Sequence, residues 1–364
     1  GNEVFVDSEG MLNLSRVVAT RNSNDNVIGV FQFGLGNGAI ARAARGSDDN
    51  LIIIDQDGGL NFSKGVARRG SDENFIDSYQ VGTGNESLIR LTRSDNNEAS
   101  QWQFGTDNTS IMELRRSNDN LIWADVFGGD ANLSYTELRR SNGNVSFQDV
   151  VGEDNVSVVT LTDSDMNFST LTQVGESNVL EVDLVDSDMN DITAQDGLSF
   201  FGFPIFSASN TYSFIGLYGS DNNSVWDSAW GSMSTYQSTE LVYSDGNIVS
   251  NWSDFSDYTS NMISLMASDD NYVESYQDLS EGSSALTVLM YSNDNAVVTN
   301  QFFDEGSMSN TILAGADGNG VFIGQAGVSE YSGLLIANSD DNSVGVIQLG
   351  EENASGIIIA GGSD

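Results

Sequence analysis

Asparagines return at a fixed interval along this chain, with apolar and polar residues alternating between them. The first series steps by 23 or 24 residues, except once after Asn190, and comprises Asn2, Asn26, Asn50, Asn74, Asn97, Asn120, Asn144, Asn167, Asn190, Asn223, Asn247, Asn271, Asn295, Asn319 and Asn342. A second series lies about half a period away: Asn13, Asn37, Asn61, Asn85, Asn108, Asn132, Asn155, Asn178 and Asn353. A fixed period of this length predicts stacked repeats that each bury a face against their neighbours.

The alternation between the asparagines predicts strands. After Asn26, every second residue is Ile28, Val30 and Gln32, and the same alternation of apolar residues and amides resumes at Asn37. A period of two is that of a β-strand, so one face of each segment carries small aliphatic residues flanked by amides. Each repeat is therefore predicted to be one coil with two strands and two turns.

Two turn motifs separate these strands. One is Ser-[Asp/Asn]-x-Asn, as in residues 187–190, and the other is Gln-x-Gly-x-x-Asn, as in residues 80–85. Ser, Asp and Asn favour turns because their side chains bond the local backbone. The glycine of the second motif is expected to adopt a positive φ angle.

Stacked coils place each buried amide about 4.8 Å from its copy in the next coil. Such amides pair along the stack, as in cross-β ladders, whereas an unpaired buried amide costs about 1–3 kcal/mol. The predicted internal ladder comprises Asn26, Gln32, Asn37, Asn50, Gln56, Asn61, Asn74, Gln80, Asn85, Asn167, Gln173 and Asn178.

The predicted fold is an all-β, two-sheet β-solenoid with cross-β stacking. The 15 asparagines of the first series predict about 15 coils of 23–24 residues that polymerise end to end. Residues 1–196 form regular coils, residues 197–209 form an inserted loop, and residues 210–364 continue as less regular coils. In this last segment Thr235, Ser284 and Glu330 replace the second asparagine.

The half-repeats at residues 26–37, 74–85 and 167–178 have the pattern N-x5-Q-x-G-x-x-N, which resembles the curlin repeat of curli subunits. These are secreted bacterial proteins that polymerise into functional amyloid fibres of the biofilm matrix. The resemblance implies internal amide ladders, a curli-type secretion pore and nucleator as partners, and an extracellular fibre at the cell surface, with a signal peptide removed. The chain has more repeats and more negative charge than is usual in that family.

The amino-acid composition excludes several kinds of site and partner. The chain has no cysteine and no histidine, which excludes disulfides, Cys/His metal sites and imidazole or thiolate catalysis. Its net charge is -40, and all 13 basic residues lie at or before Arg140. Nucleic acid is therefore not an expected partner. No apolar run reaches the length needed to span a membrane, so no membrane insertion is expected.

The chain ends favour a polymer of identical subunits. Ser363-Asp364 of one copy followed by Gly1-Asn2 of another spells the Ser-Asp-Gly-Asn turn of residues 244–247. The predicted subunit junction comprises Gly1, Asn2, Asn342, Gln348, Asn353, Ser363 and Asp364. We expect a fibre subunit that stacks head to tail; the alternative is a monomeric β-solenoid, such as an adhesin stalk or an ice-binding protein.

The charged residues follow the repeat, so no enzyme and no cofactor are expected. Turn aspartates suggest a Ca²⁺ site at Asp72, Asp95, Asp165 and Asp188, although the calcium β-roll nonapeptide is absent and diffuse counterion binding is favoured. A basic column is predicted from Arg21, Arg45, Arg69, Arg93, Arg116 and Arg140. Three interpretations are open. The column is a solvated corner, or it favours head-to-tail order by meeting the acidic end of another subunit, or it binds acidic polysaccharide or another fibre.

Overall fold

The computed structural model describes the whole chain except residues 1, 21–25, 45–49, 69–73, 94–96, 117–119, 126–130, 142, 151, 165–167, 174–176, 188, 197, 201–202, 207–209, 255, 280, 316, 319, 339–342 and 361–364. The chain divides into two compact units, Gly1–Gln173 and Val174–Asp364. The described residues form strands joined by turns and bends, and no helix occurs among them.

The first unit contains two parallel sheets and a short strand pair. Its strands are β1 (Asn2–Val4), β2 (Ser15–Thr20), β3 (Asn26–Ile28), β4 (Ala39–Ala44), β5 (Ser63–Arg68), β6 (Phe75–Ile76), β7 (Ser87–Thr92), β8 (Glu98–Ala99), β9 (Ser110–Arg115), β10 (Leu121–Ile122), β11 (Ser134–Arg139), β12 (Val145–Val150), β13 (Ser157–Thr162) and β14 (Phe168–Gln173). Sheet 1 of this unit has the order β2-β4-β5-β7-β9-β11-β13, and sheet 2 has the order β14-β12-β10-β8-β6. Strands β1 and β3 pair with each other.

The second unit repeats this arrangement. Its strands are β15 (Val179–Val185), β16 (Asp191–Asp196), β17 (Leu198–Phe200), β18 (Phe203–Phe206), β19 (Asn210–Tyr218), β20 (Ser224–Trp230), β21 (Ser234–Val242), β22 (Ile248–Asp254), β23 (Thr259–Met266), β24 (Tyr272–Asp278), β25 (Ser284–Met290), β26 (Ala296–Glu305), β27 (Met308–Ala314), β28 (Gly320–Val328), β29 (Tyr331–Ala337), β30 (Ser343–Glu351) and β31 (Ala354–Ala360). Sheet 1 of this unit has the order β15-β19-β21-β23-β25-β27-β29-β31, and sheet 2 has the order β30-β28-β26-β24-β22-β20-β16.

Parallel pairing in strict register confirms the predicted all-β solenoid. Ser87 of β7 pairs with Ser110 of β9, and Ser134 of β11 pairs with Ser157 of β13, each one period further along the chain. A coil contributes one strand to each sheet. The described residues contain five coils with a named strand in both sheets in the first unit and seven in the second, about 12 rather than the predicted 15.

The lower coil count has a local cause near the start of the chain. The asparagine period counts turns, whereas a complete coil needs extended pairing on both sides of the core. In the first coils, β1 and β3 form a separate pair, and the next segment reaches sheet 2 only through an isolated bridge, that of Ile52 with Ile76. The period therefore overestimates the number of complete coils.

The two sheets of each unit enclose a narrow core. Inward side chains alternate with outward ones along each strand, so β7 and β11 both bury every second residue. Ile89, Leu91 and Leu114 are 0% exposed. The Ser78 hydroxyl donates to that of Ser63 across the core at 2.8 Å, so small polar groups are buried in pairs.

Residues 197–209 contain the only antiparallel pairing found among the described residues. Strands β17 and β18 form a two-stranded sheet in which Phe200 pairs with Phe203. On either side of this hairpin, Val179 of β15 pairs with Tyr212 of β19, a longer step than the usual period.

The glycine of the Gln-x-Gly-x-x-Asn turn adopts the expected positive φ at Gly350, where it is 130°, but not at Gly34, Gly58 or Gly82. Gly34, Gly58 and Gly82 lie in parallel bridges, and the positive φ falls on the next residue, for example 74° at Leu35 and 77° at Thr83. A Cβ at these three glycines would meet nothing within 4 Å, so the structure gives no steric reason for glycine there. At these three positions the expectation was wrong, because the left-handed residue follows the motif glycine.

Candidate functional site

The buried glutamines of the first unit form a hydrogen-bonded column. The Nε2 atom of Gln32 donates to Oε1 of Gln56 at 2.8 Å, Gln56 donates to Gln80 at 2.7 Å, and Gln80 donates to Gln103 at 2.8 Å. Gln80 also donates to the backbone carbonyl of Glu86 at 2.9 Å. All four side chains are at most 2% exposed. The amides of Gln56 and Gln80 are thus bonded to the coils on either side of them.

Two asparagine columns flank the glutamines. In the first column, Asn50 donates to Asn26 at 2.6 Å and Asn74 donates to Asn50 at 2.5 Å. In the second, the amide of Asn61 lies 3.0 Å from that of Asn37 and 2.9 Å from that of Asn85. The structure therefore brings nine of the predicted ladder residues of this unit together, all of them buried. Asn167 and the side chain of Gln173 lie outside the described residues.

The second unit contains comparable columns. Asn190 donates to Asn223 at 2.7 Å, and Asn223 donates to Asn247 at 2.8 Å. Gln301 donates to Gln277 at 2.7 Å, as Gln325 does to Gln301. The predicted ladder residue Asn178 is also buried here. The same interactions thus recur despite the less regular sequence of this unit.

The predicted junction residues are only partly described. Gly1, Asn342, Ser363 and Asp364 lie outside the described residues. The backbone of Asn2 pairs with Asn26. Gln348 donates to Gln325 at 2.8 Å, and Oδ1 of Asn353 accepts the Glu330 backbone N–H at 3.0 Å, so both continue the internal columns.

In the last described coil, β30 with β31, the isoleucines at inward positions are exposed. Ile357 and Ile359 lie in register with Leu334 and Ile336 of the preceding coil. Leu334 and Ile336 are 3% and 0% exposed, whereas Ile357 and Ile359 are 50% and 62% exposed. Among the described residues, none covers these two isoleucines as the last coil covers Leu334 and Ile336.

The repeat motifs did not predict several of the polar residues that the structure buries. Gln101 and Gln148 lie on inward positions, where Gln101 donates to the Ile111 carbonyl at 3.0 Å and Gln148 donates to the Thr136 hydroxyl at 2.5 Å. Neither residue belongs to the Gln-x-Gly motif, so only the alternation of the residues around them indicates burial. The second asparagine column continues through Thr235, Ser283 and Glu330; Ser284 was assigned to it wrongly, because its hydroxyl donates to Ser260 on the outward face instead.

Two buried carboxyl groups in the second unit have strongly raised pKa values. Burial raises the pKa of Asp227 to about 7, although the Ser213 and Gln237 side chains bond it and oppose the rise. Burial also raises the pKa of Glu330 to about 7. Both residues are 1% exposed. Each carboxyl group is therefore substantially protonated at neutral pH and behaves partly as a neutral polar member of the core.

The turn aspartates of the second unit bond the next coil. Oδ1 of Asp221 accepts the backbone N–H of Asp245 at 2.7 Å, and Oδ1 of Asp245 accepts that of Asp269 at 2.6 Å. The aspartates assigned to a Ca²⁺ site, Asp72, Asp95, Asp165 and Asp188, lie outside the described residues. Within the described ranges, no group of three or more acidic residues is arranged to hold a metal ion.

Arginines line an open groove of about 600 Å³ in the first unit. The lining residues are Arg68, Arg90, Thr92, Arg93, Arg115, Arg116, Arg139, Arg140 and Asp163. Arg93, Arg116 and Arg140 belong to the predicted column, whereas Arg21, Arg45 and Arg69 lie outside the described residues. The sequence reasoning missed the arginines at strand ends, which flank the column by one to three residues.

Neither a scan against protein-family models nor a search of curated proteins finds a match to this chain. In the part of the chain that the structure describes, no helix has the length and apolarity needed to span a bilayer.

Proposed function

We propose that this chain is the structural subunit of an extracellular bacterial fibre, a curli-like functional amyloid of the biofilm matrix, in which subunits stack head to tail. The observation that carries the proposal is the in-register stack of coils joined by columns of hydrogen-bonded amides. The candidate junction is the last described coil, β30 with β31. Its core positions Ile357 and Ile359 are exposed, while the equivalent residues one coil earlier are buried. Burying apolar side chains of this size stabilises an interface by about 1.5–3 kcal/mol each.

The occupant that best matches this surface is the first coil of a second copy. Sheet 1 of the last coil presents Asn353, Ser355 and Ile357 at alternating positions, and the first coil presents Asn13, Ser15 and Val17 in the same order. Internal neighbours stack in this way, since Ser63 pairs with Ser87 and Gly65 with Ile89. A junction between copies would therefore use the same in-register pairing as the coils within one chain.

The columns of amides favour continued stacking. Gln56 and Gln80 are each bonded to the coils before and after them, so a terminal amide would gain a partner when another coil arrives. Backbone groups at an open parallel edge gain partners in the same event. We propose a structural rather than a catalytic role on this basis, with secretion through a curli-type pore and growth from a nucleator at the cell surface.

Electron microscopy of the purified full chain, with two matched variants, tests the proposal. Ile359→Lys places a charge at the inward, junction-facing position, and Ile358→Lys places the same charge one residue away on the outward face. Both isoleucines are 62% exposed, so the two substitutions differ only in the face that they alter. We expect fibres from the parent and from Ile358→Lys, and strongly slowed growth from Ile359→Lys.

Seeding with parent fibres separates growth from nucleation. Ile359→Lys monomers are expected to elongate such seeds far more slowly than Ile358→Lys monomers. Equal elongation of the two variants would show that this coil is not the junction. Monodisperse particles from the parent would instead favour the monomeric β-solenoid, with an adhesin stalk or an ice-binding protein as the candidate role.

A further inference from the structure

The arginine groove of the first unit concentrates positive charge on a strongly acidic protein. Seven guanidinium groups and one carboxylate, that of Asp163, line it. The chain as a whole has a net charge of -40. Exposed charges act over about 8 Å at physiological salt, so a ligand in the groove responds mainly to the arginines around it.

The solenoid aligns these arginines in two neighbouring columns. Arg115 pairs with Arg139 in adjacent strands. One residue further on, the corner residues Arg93, Arg116 and Arg140 have φ angles of 57°, 59° and 56°. The Arg93 N–H donates to the Arg115 carbonyl at 3.0 Å, and the Arg116 N–H donates to the Arg139 carbonyl at 2.9 Å. The backbone thus holds like charges about one coil apart, or about 4.8 Å.

Acidic side chains neutralise only part of this charge. Arg90 pairs with Glu113 at 2.5 Å, Arg115 with Glu137 at 3.1 Å, and Arg140 with Asp163 at 3.2 Å. Arg93, Arg116 and Arg139 are exposed and make no ion pair with any described residue. Aligned guanidinium groups repel one another, so an anionic ligand that bridges successive coils would relieve this repulsion.

We propose that this groove binds a linear acidic polysaccharide whose sugar rings carry carboxylates, such as a polyuronate, along the column of corner arginines. A polyuronate has one carboxylate for each sugar ring, and guanidinium groups bind carboxylates through paired hydrogen bonds. The proposal concerns the first unit alone and holds whether or not the chain forms fibres.

Nucleic acid matches the groove less well. Proteins that bind single strands usually provide aromatic side chains for base stacking, and no aromatic residue is among those described as lining this groove. Duplex DNA carries one charge for about every 1.7 Å of its axis, much denser than the arginine spacing, and the remaining acidic surface repels so long a polyanion.

Fluorescence anisotropy with a labelled galacturonate hexamer tests the proposal on the full chain. The test variant is Arg93→Gln/Arg116→Gln/Arg139→Gln, which removes the arginines without ion pairs. The matched control is Arg16→Gln/Arg42→Gln/Lys64→Gln, which removes the same charge from residues that do not line the groove. We expect the test variant to bind about tenfold or more weakly at low salt, and the control to change less than about twofold.

A folding check, a lysine variant and two competitor ligands complete the experiment. Circular dichroism checks that both variants fold, and Arg93→Lys/Arg116→Lys/Arg139→Lys keeps the charge but loses the planar guanidinium fork, so we expect intermediate affinity. A neutral galactose hexamer and a thymidine hexanucleotide serve as competitors. The proposal is overturned if galacturonate does not bind at low salt, if both Gln triples weaken it equally, or if either competitor binds as tightly.

Discussion

Replacing Gln80 by leucine tests whether the glutamine column stabilises the first unit. The Gln80 amide donates to Gln103 at 2.8 Å and to the Glu86 carbonyl at 2.9 Å, and accepts from Gln56 at 2.7 Å. Gln80→Leu removes these three bonds and leaves Oε1 of Gln103 buried without this donor. Leucine has nearly the same volume, so the change is mainly one of polarity.

The magnitude follows from these contacts. Three hydrogen bonds contribute about 1 kcal/mol each, and a buried acceptor without a donor costs a further 1–3 kcal/mol. The added apolar surface of leucine offsets part of this loss, by about 1–2 kcal/mol. We therefore expect a net destabilisation of about 3 kcal/mol in the first unit.

Hydrogen exchange measured by mass spectrometry locates this effect, and urea unfolding measures its size. Exchange is expected to rise in peptides that contain Gln56 and Gln103 and to stay unchanged in residues 174–364. Lys64→Leu, an outward substitution on the neighbouring strand β5, is the control and should change stability by less than about 0.5 kcal/mol. If Gln80→Leu is no more disruptive than this control, the column does not contribute to stability as argued.

Three further predictions concern the core. Below about pH 4, Asp227 is protonated in both the folded and the unfolded state. Between pH 4 and its folded pKa of about 7, only the folded chain retains the proton. The free energy of unfolding of the second unit therefore falls by up to about 1.4 kcal/mol for each unit by which the pH rises. Asp227→Asn should flatten the pH dependence of the free energy of unfolding, measured by urea unfolding at several pH values across that window. An unchanged pH dependence would refute the assignment. Glu330→Gln should leave stability similar near pH 4.5 but raise it at pH 8, where the parent buries a carboxylate; thermal unfolding at both pH values checks this. A Cβ on Gly65 would lie 2.6 Å from Cγ2 of Ile76, so Gly65→Ala should cost about 1–3 kcal/mol, and less in an Ile76→Ala background; equal costs would contradict the clash.

The sequence period predicts the solenoid because stacking requires the same residue type at the same place in successive coils. Gln32, Gln56 and Gln80 are buried for that reason, and their spacing of 24 residues is visible without any structure. The alternation of residues around them identifies the inward face. These features are local and repeated, so each copy strengthens the same prediction.

Features that break the repeat were not predictable. Asp227 occupies an inward position of β20, near Ser213 and Gln237 of the facing sheet, and no motif identifies this grouping. The arginine groove depends on Arg115 and Arg139 at strand ends as well as on the corner residues. Which strands complete a coil, and where the chain divides after Gln173, depends on pairing between segments rather than on the spacing of asparagines. The domain boundaries at residues 196 and 209 stay predictions.

The corner after each strand of sheet 1 from β7 to β29 holds a left-handed residue, and the type of that residue varies. Arginine occupies it at Arg116, tyrosine at Tyr243 and alanine at Ala267, with φ angles of 59°, 52° and 51°. The backbone N–H of each donates to the next coil at 2.9, 3.0 and 2.9 Å, so pairing rather than side-chain identity maintains the geometry. The side chain at this corner can therefore be changed in one coil at a time, at intervals of about 4.8 Å, while the backbone pairing of the coils is kept.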